Sequence, residues 1–221
     1  ENDSGTVRYR DFKPASIKLF SRAEMRDNRI ITDSTSIALD SLILSVEGSV
    51  KNSGEYPADI DLILRGVPPA MLNLLAGQFH SGTPAVHGDV LIEAGLSGPV
   101  TSLRGELRCW MERVEYRGLT FTEIHITAGR HGDTLSVDTL RTMVAGGSVS
   151  GEGAVITSNR LRGDAALLLE SVRLDQISGI LQGRRKSLEG SVSGSLRAGF
   201  AGDSWREWSA EARLSADNLS Y

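Results

Sequence analysis

A single cysteine, Cys109, in 221 residues leaves no partner for an internal disulfide and excludes any multi-cysteine metal site. One thiol fits a reducing or an oxidising compartment equally well. Prolines number only 6 and aromatic residues make up only 5% of the chain. Long apolar runs are missing too. The longest near-apolar stretch, Ala165 to Leu169, falls far short of the roughly 20 residues that a membrane-crossing helix needs. There is no surplus of positive charge: the net charge is -4, which supplies none of the basic field that nucleic-acid backbones reward, so nucleic acid is not an expected partner. The chain opens on Glu1 without a basic, apolar, small-residue leader, which reads as an excision from a longer polypeptide.

Glycine is abundant, at 24 residues, and implies many tight corners between short extended segments. Periodicity agrees. Tyr56, Ala58, Ile60, Leu62 and Leu64 alternate with Asp59, Asp61 and Arg65, the period of two expected of a half-buried strand. The same alternation recurs at Val86, Val90, Ile92, Ala94 and Leu96, then at Leu103, Leu107, Cys109 and Met111. Further on it returns at Val149 to Val155, at Leu161, Ala165, Leu167 and Leu169, at Leu188, Val192, Leu196, Ala198 and Phe200, and at Trp208, Ala210, Ala212 and Leu214. The stretches Ile37 to Val50, Leu119 to Ala128 and Thr134 to Val144 are rich in strand formers but change phase, which predicts a bulge or turn inside each. The reading is an all-β chain with one apolar face.

Two stretches break the pattern. Val67-Pro68-Pro69-Ala70-Met71-Leu72-Asn73-Leu74-Leu75 places prolines in a first helical turn and puts Met71, Leu74 and Leu75 on one face before Gly77. Leu174 to Leu181 places Asp175 at a cap, with Ile177, Ile180 and Leu181 on one face. Both read as short helices that plug an end of the sheet. The surroundings repeat. Val67 matches Val172, Gly88 matches Gly190, Ala94-Gly95-Leu96-Ser97-Gly98 matches Ala198-Gly199-Phe200-Ala201-Gly202, and Glu106 matches Glu211, all near one offset of about 104 residues. That organises the chain as N-terminal strands over 1–36 that continue the sheet, then a repeat region over 37–221 with units of about 60–165 and 166–221, the second incomplete. Stacked repeats lengthen a sheet rather than close it, so ten to twelve strands about 4.8 Å apart predict an elongated, twisting sheet on the order of 50 Å long.

Chemistry is thinly represented. His80 and His87 lie seven apart, and His125 and His131 six apart, neither a metal-ligand spacing on a helix. Gly95-Leu96-Ser97-Gly98 lacks the spacing of a nucleophile elbow. Gly146-Gly147-Ser148-Val149-Ser150-Gly151 lacks the lysine of a phosphate loop and reads as a turn entering a strand. Asp59, Asp61 and Asp164 alternate outward as a solvated face. Cys109 shares the apolar parity of Leu107 and Met111, so its thiol is expected in packing. Arg184-Arg185-Lys186 reads as a solvated loop, and Trp208 falls on the apolar parity while Trp205 marks a hairpin tip or an interface. The expectation is no enzyme, no catalytic residues, no metal and no cofactor.

Leu44-Ser45-Val46-Glu47-Gly48-Ser49-Val50, Ile60-Asp61-Leu62-Ile63-Leu64-Arg65-Gly66, Val100 to Leu107 and Leu188 to Leu196 resemble the repeats of the TamB and AsmA-like proteins of the Gram-negative envelope. The similarity covers roughly Ile37 to Tyr221 and is one of texture, alternating Leu, Val and Gly with a short helix between blocks, without a catalytic signature. It implies a long, curved β-sheet folded like a taco shell around an apolar groove, in a periplasm-spanning protein anchored in the inner membrane. The anchor helix of that family is absent from this sequence. Implied activities are phospholipid transport between the inner and outer membranes and the assembly or secretion of outer-membrane proteins, with acyl chains and an outer-membrane barrel assembly protein as partners. The aliphatic residues that would line the groove are Ile60, Leu62, Leu64, Val90, Ile92, Leu107, Leu167, Leu169, Val192 and Leu196. The same alternation also suits the closed core of an ordinary β-sandwich or solenoid, and hence a structural or adhesive module without a ligand.

Overall fold

The computed structural model of the chain describes residues 17–39, 41–52, 54–67, 85–99, 102, 104–157, 162–177, 189–201 and 208–220. They form one antiparallel sheet of twelve strands in which every strand pairs with its neighbours in sequence. The strands are β1 (Ile17–Arg26), β2 (Arg29–Leu39), β3 (Leu42–Lys51), β4 (Pro57–Gly66), β5 (Ala85–Pro99), β6 (Arg104–Tyr116), β7 (Leu119–His131), β8 (Thr134–Val144), β9 (Gly147–Ile156), β10 (Arg162–Arg173), β11 (Glu189–Ala201) and β12 (Trp208–Ser220). At about 4.8 Å per strand the ladder runs for about 50 Å. Its outer strands β1 and β12 do not pair with each other, so the sheet is open. The second expected helix appears as one helical turn over 174–177, and the first lies outside the described residues.

Hairpin turns follow the local sequence. Asp27-Asn28, Arg117-Gly118 and Ala145-Gly146 all hold left-handed backbone at both central positions, the turn whose twist matches that of the flanking strands. The expected turn at Gly146 entering a strand is therefore present. Tyr56, read as a strand residue, instead sits just before β4 with φ of 48° and is exposed.

The phase changes correspond to irregularities in the ladder. β7 slips against β8 between Thr122 and His125, where Glu123 takes φ of 51°, and again between Thr127 and Ala128. β8 slips against β9 between Val137 and Leu140. Ile37 to Val50 contains the turn that joins β2 to β3. Each extra residue raises the local twist and bends the strand, which helps to curve the sheet.

The repeat is visible in the backbone. Arg29 to Thr134, Leu42 to Gly147 and Pro57 to Arg162, the starts of β2 and β8, β3 and β9, and β4 and β10, are each separated by 105 residues. Ala85 to Glu189 and Arg104 to Trp208, the starts of β5 and β11 and of β6 and β12, are separated by 104. The slip between Thr32 and Thr35 in β2 recurs at Val137 and Leu140 in β8. Even a loop bond repeats: Asn52 N–H donates to the Asn28 carbonyl and Thr157 N–H to the Asp133 carbonyl, at 2.7 and 2.8 Å. The unit is thus six strands, and the period extends upstream of residue 60. Glu106 and Glu211 are not equivalent positions, because Glu106 stands opposite Gly95 while Glu211 stands opposite Arg197.

Candidate functional site

Register carries the apolar alternation from strand to strand. One row crosses the whole sheet: Leu19, Ile37, Leu44, Leu64, Ile92, Cys109, Ile126, Leu140, Gly151, Leu167, Leu196 and Ala212 stand opposite one another in turn. Beside it runs Val46, Leu62, Ala94, Leu107, Ala128, Val137, Gly153, Ala165, Ala198 and Ala210. A third row carries Ile60, Leu96, Gly105, Arg130, Leu135, Val155, Gly163, Phe200 and Trp208. Residues of the intervening parity are largely polar: Glu47, Asp61, Glu106 and Asp164 belong to one outward row, and Asp59 is exposed as well. The outward acidic face expected from the sequence is present.

The inward face of β5 to β11 encloses a trough of about 690 Å³. Its walls include Leu96, Leu107, Ala128, Leu140, Leu167 and Phe200. Ala94 of β5 and Phe200 of β11 border the same space although six strand spacings separate them along the ladder, so the sheet is curled. Small residues permit this curl. A Cβ at Gly151 would lie 2.4 Å from Leu167 Cδ2, and one at Gly153 would lie 2.8 Å from the Asp164 carbonyl oxygen.

The trough stays open to solvent. Buried hydrophobic residues among those described are only Leu42, Ala58, Val90, Cys109, Ile124, Val144, Ala145 and Val172, and no large side chain among them is fully enclosed. On the inward rows Leu135 remains 47% exposed and Val137 37%. Trp208 stacks on Phe200 with centroids 5.5 Å apart, and at 62% exposure it forms an open flank rather than a core.

One end is plugged. Val144, Ala145 and Val172 cluster there, and Phe121, Val149, Leu169, Ile177 and Val192 pack around them. Ile177 comes from the helical turn, so that turn does cap an end of the sheet. Arg173 fixes the turn: its backbone N–H donates to the Ala145 carbonyl at 2.9 Å, and its guanidinium donates to both Asp175 carboxylate oxygens at 3.1 and 2.7 Å. The Arg173 hydrogen bonds hold the Asp175 carboxyl below its usual range. A lowered carboxyl pKa means that the clip is intact at neutral pH and is lost as pH falls through the folded-state value.

Nine of the ten residues expected to line a groove fall in the inward apolar rows or the plug, and Val90 stands opposite Gly66 and Met111 on a neighbouring row; the ten divide by depth. Leu107 and Leu167 border the trough itself. Ile60, Leu62, Leu64 and Ile92 extend the same face towards β4. Val90 is buried, at 6% exposure. Leu169 and Val192 belong to the plug, and Leu196 stands opposite Leu167. Residues missed as lining include Ala128, Leu135, Val137, Leu140, Gly151 and Gly153. Cys109 is buried between Ile92 and Ile126, and burial raises its thiol pKa. Among the described residues no three His, Cys, Asp or Glu side chains gather as a metal site. His87 lies 3.7 Å from Glu115 with both side chains exposed. Ser97 sits near the end of β5, opposite Asp59 and Arg104, in a strand followed by another strand rather than at a strand-to-helix elbow. His80, Arg184 to Lys186 and Trp205 lie outside the described residues.

Fold and site together define an open, one-sided β-meander with an apolar trough along its concave face. The chain matches no protein-family model, no curated protein and no solved structure.

Proposed function

We propose that this chain is a non-enzymatic segment of a periplasm-spanning, inner-membrane-anchored envelope protein of the TamB and AsmA-like kind. In this reading its trough carries phospholipid acyl chains between the inner and outer membranes, and the protein also serves outer-membrane protein assembly and secretion alongside a barrel assembly partner. The observation that carries it is the unbroken inward apolar row from Leu19 to Ala212, open to solvent on a curled sheet. An acyl chain that leaves a bilayer exposes methylenes worth about 0.8 kcal/mol each, so a carrier must offer continuous apolar cover. Aliphatic rows give that cover without fixing a ligand in one register, so a chain slides along them. A contiguous exposed apolar surface of this extent is otherwise a liability in a protein that works alone in water.

Native mass spectrometry of the purified chain, before and after organic extraction, tests the reading. Diacyl lipid bound at a stoichiometry near one per trough, removed by extraction and restored on exposure to vesicles, is the expected result. A chain that neither co-purifies with lipid nor takes it up would instead be a structural or adhesive β-repeat.

A further inference from the structure

The third inward row carries one charge. Along it stand Ala23, Thr32, Gly48, Ile60, Leu96, Gly105, Arg130, Leu135, Val155, Gly163, Phe200 and Trp208, and only Arg130 is ionisable. The repeat does not demand a cation there. Met25, 105 residues earlier and opposite Ile30 as Arg130 is opposite Leu135, holds the equivalent place on β1. Arg130 borders the trough between Gly105 and Leu135, near the hairpin end of β7 and away from the plug. Its Nε donates to the Gly132 carbonyl at 3.2 Å, which anchors the guanidinium through one donor and leaves its terminal nitrogens available. No carboxylate among the described residues pairs with it. The acidic residues nearest along the lining, Glu106, Glu152 and Asp164, lie on strand positions of the opposite parity and are exposed.

We infer that Arg130 is an anion anchor at the mouth of the trough, which selects amphiphiles whose head bears a phosphate and whose tail lies along Leu107, Leu140 and Leu167. This inference rests on the trough's holding acyl chains. A guanidinium presents a planar fork of donors to phosphate oxygens, and Arg130 is exposed, so that fork is open to a ligand. From β5 to β11 the sheet measures about 30 Å along its contour at the usual strand spacing, against about 15 Å for one leaflet of hydrocarbon, so the apolar rows are long enough for a tail whose head sits at Arg130.

The test uses the intact chain, with dodecyl phosphate, a neutral dodecyl glycoside and inorganic phosphate, each measured by calorimetry below micelle-forming concentrations. The expected pattern is that Arg130→Gln weakens dodecyl phosphate about tenfold, in keeping with loss of a charge-assisted hydrogen bond, and leaves the glycoside unchanged. Arg130→Lys should recover part of the loss, and Arg197→Gln on the outward face should have no effect. Equal loss for both amphiphiles, or no loss for either, overturns the anchor. Inorganic phosphate that binds as tightly as dodecyl phosphate also overturns it, because the anion site would then be independent of the trough. If neither amphiphile binds the unmodified chain, the trough reading itself fails, a result distinct from failure of the anchor.

Discussion

Leu167→Asp should abolish the proposed acyl-chain retention while the β-sheet signal in circular dichroism persists. Leu167 stands opposite Gly151 and Leu196 and borders the trough, so a carboxylate there faces the apolar occupant directly. In the empty trough water solvates the charge. An acyl chain would strip that water away, at a cost of several kcal/mol for an unpaired ion, and each 1.4 kcal/mol is a factor of ten in affinity. Retention should therefore fall by on the order of a hundredfold or more. The control is Leu168→Asp, one residue along the strand, where the side chain is already 45% exposed on the other face. That variant should bind as the parent does. Equal loss from both substitutions would remove the distinction between faces on which the trough depends.

Gly48→Val should destabilise the sheet strongly. Gly48 lies in β3 with φ of 145°, which L side chains rarely adopt, and a Cβ there would fall 2.2 Å from the Asp59 carbonyl oxygen and 2.7 Å from Ile60 Cα. Neither neighbour is a flexible side chain that can swing away. Backbone strain and overpacking each cost about 1 to 3 kcal/mol, so the pair should destabilise by about 4 kcal/mol. For a chain of this length that lowers Tm by about 10 °C in a calorimetric scan. Gly54→Ala, with nothing within 4 Å of the added atom, should move Tm by little. A Tm for Gly48→Val within a degree or two of the parent would contradict the close approach of β3 and β4.

Strands were most legible where the ladder is regular. Ile60, Leu62 and Leu64 alternate cleanly because β4 meets both β3 and β5 without a slip. In β7 and β8 the count by twos fails, since a bulge moves the parity by one. Val137 and Leu140 sit three apart in sequence and yet both border the trough. Such a shift is set by the neighbouring strand, which a single sequence does not reveal. The helical turn after β10 was legible from Asp175 and Ile177, and Ile177 supplies part of the plug.

The trough was legible in part for a different reason. Large aliphatics such as Leu107 and Leu167 announce a buried face, whereas Ala128, Gly151 and Gly153 give no hydrophobic signal although their small size makes room for the curl. Arg130 was missed because a charged residue in an alternating strand reads as a solvated face, and only the register shows that it lies in the same row as Leu96 and Leu135. Val67, just past the end of β4, and Val172, next to last in β10, stand 105 residues apart, the offset between those two strands, while Glu106 and Glu211 resembled each other without sharing a place in the ladder.

The most direct test of the account is to load the chain with a phospholipid that carries a photoactivatable group at the acyl terminus, irradiate, and locate the adducts by peptide mass spectrometry to single residues. Adducts concentrated on Leu107, Leu140 and Leu167, with none on the outward-facing Leu91 and Leu168, are the predicted result. Adducts spread equally over both faces, or confined to Leu91 and Leu168, would contradict it.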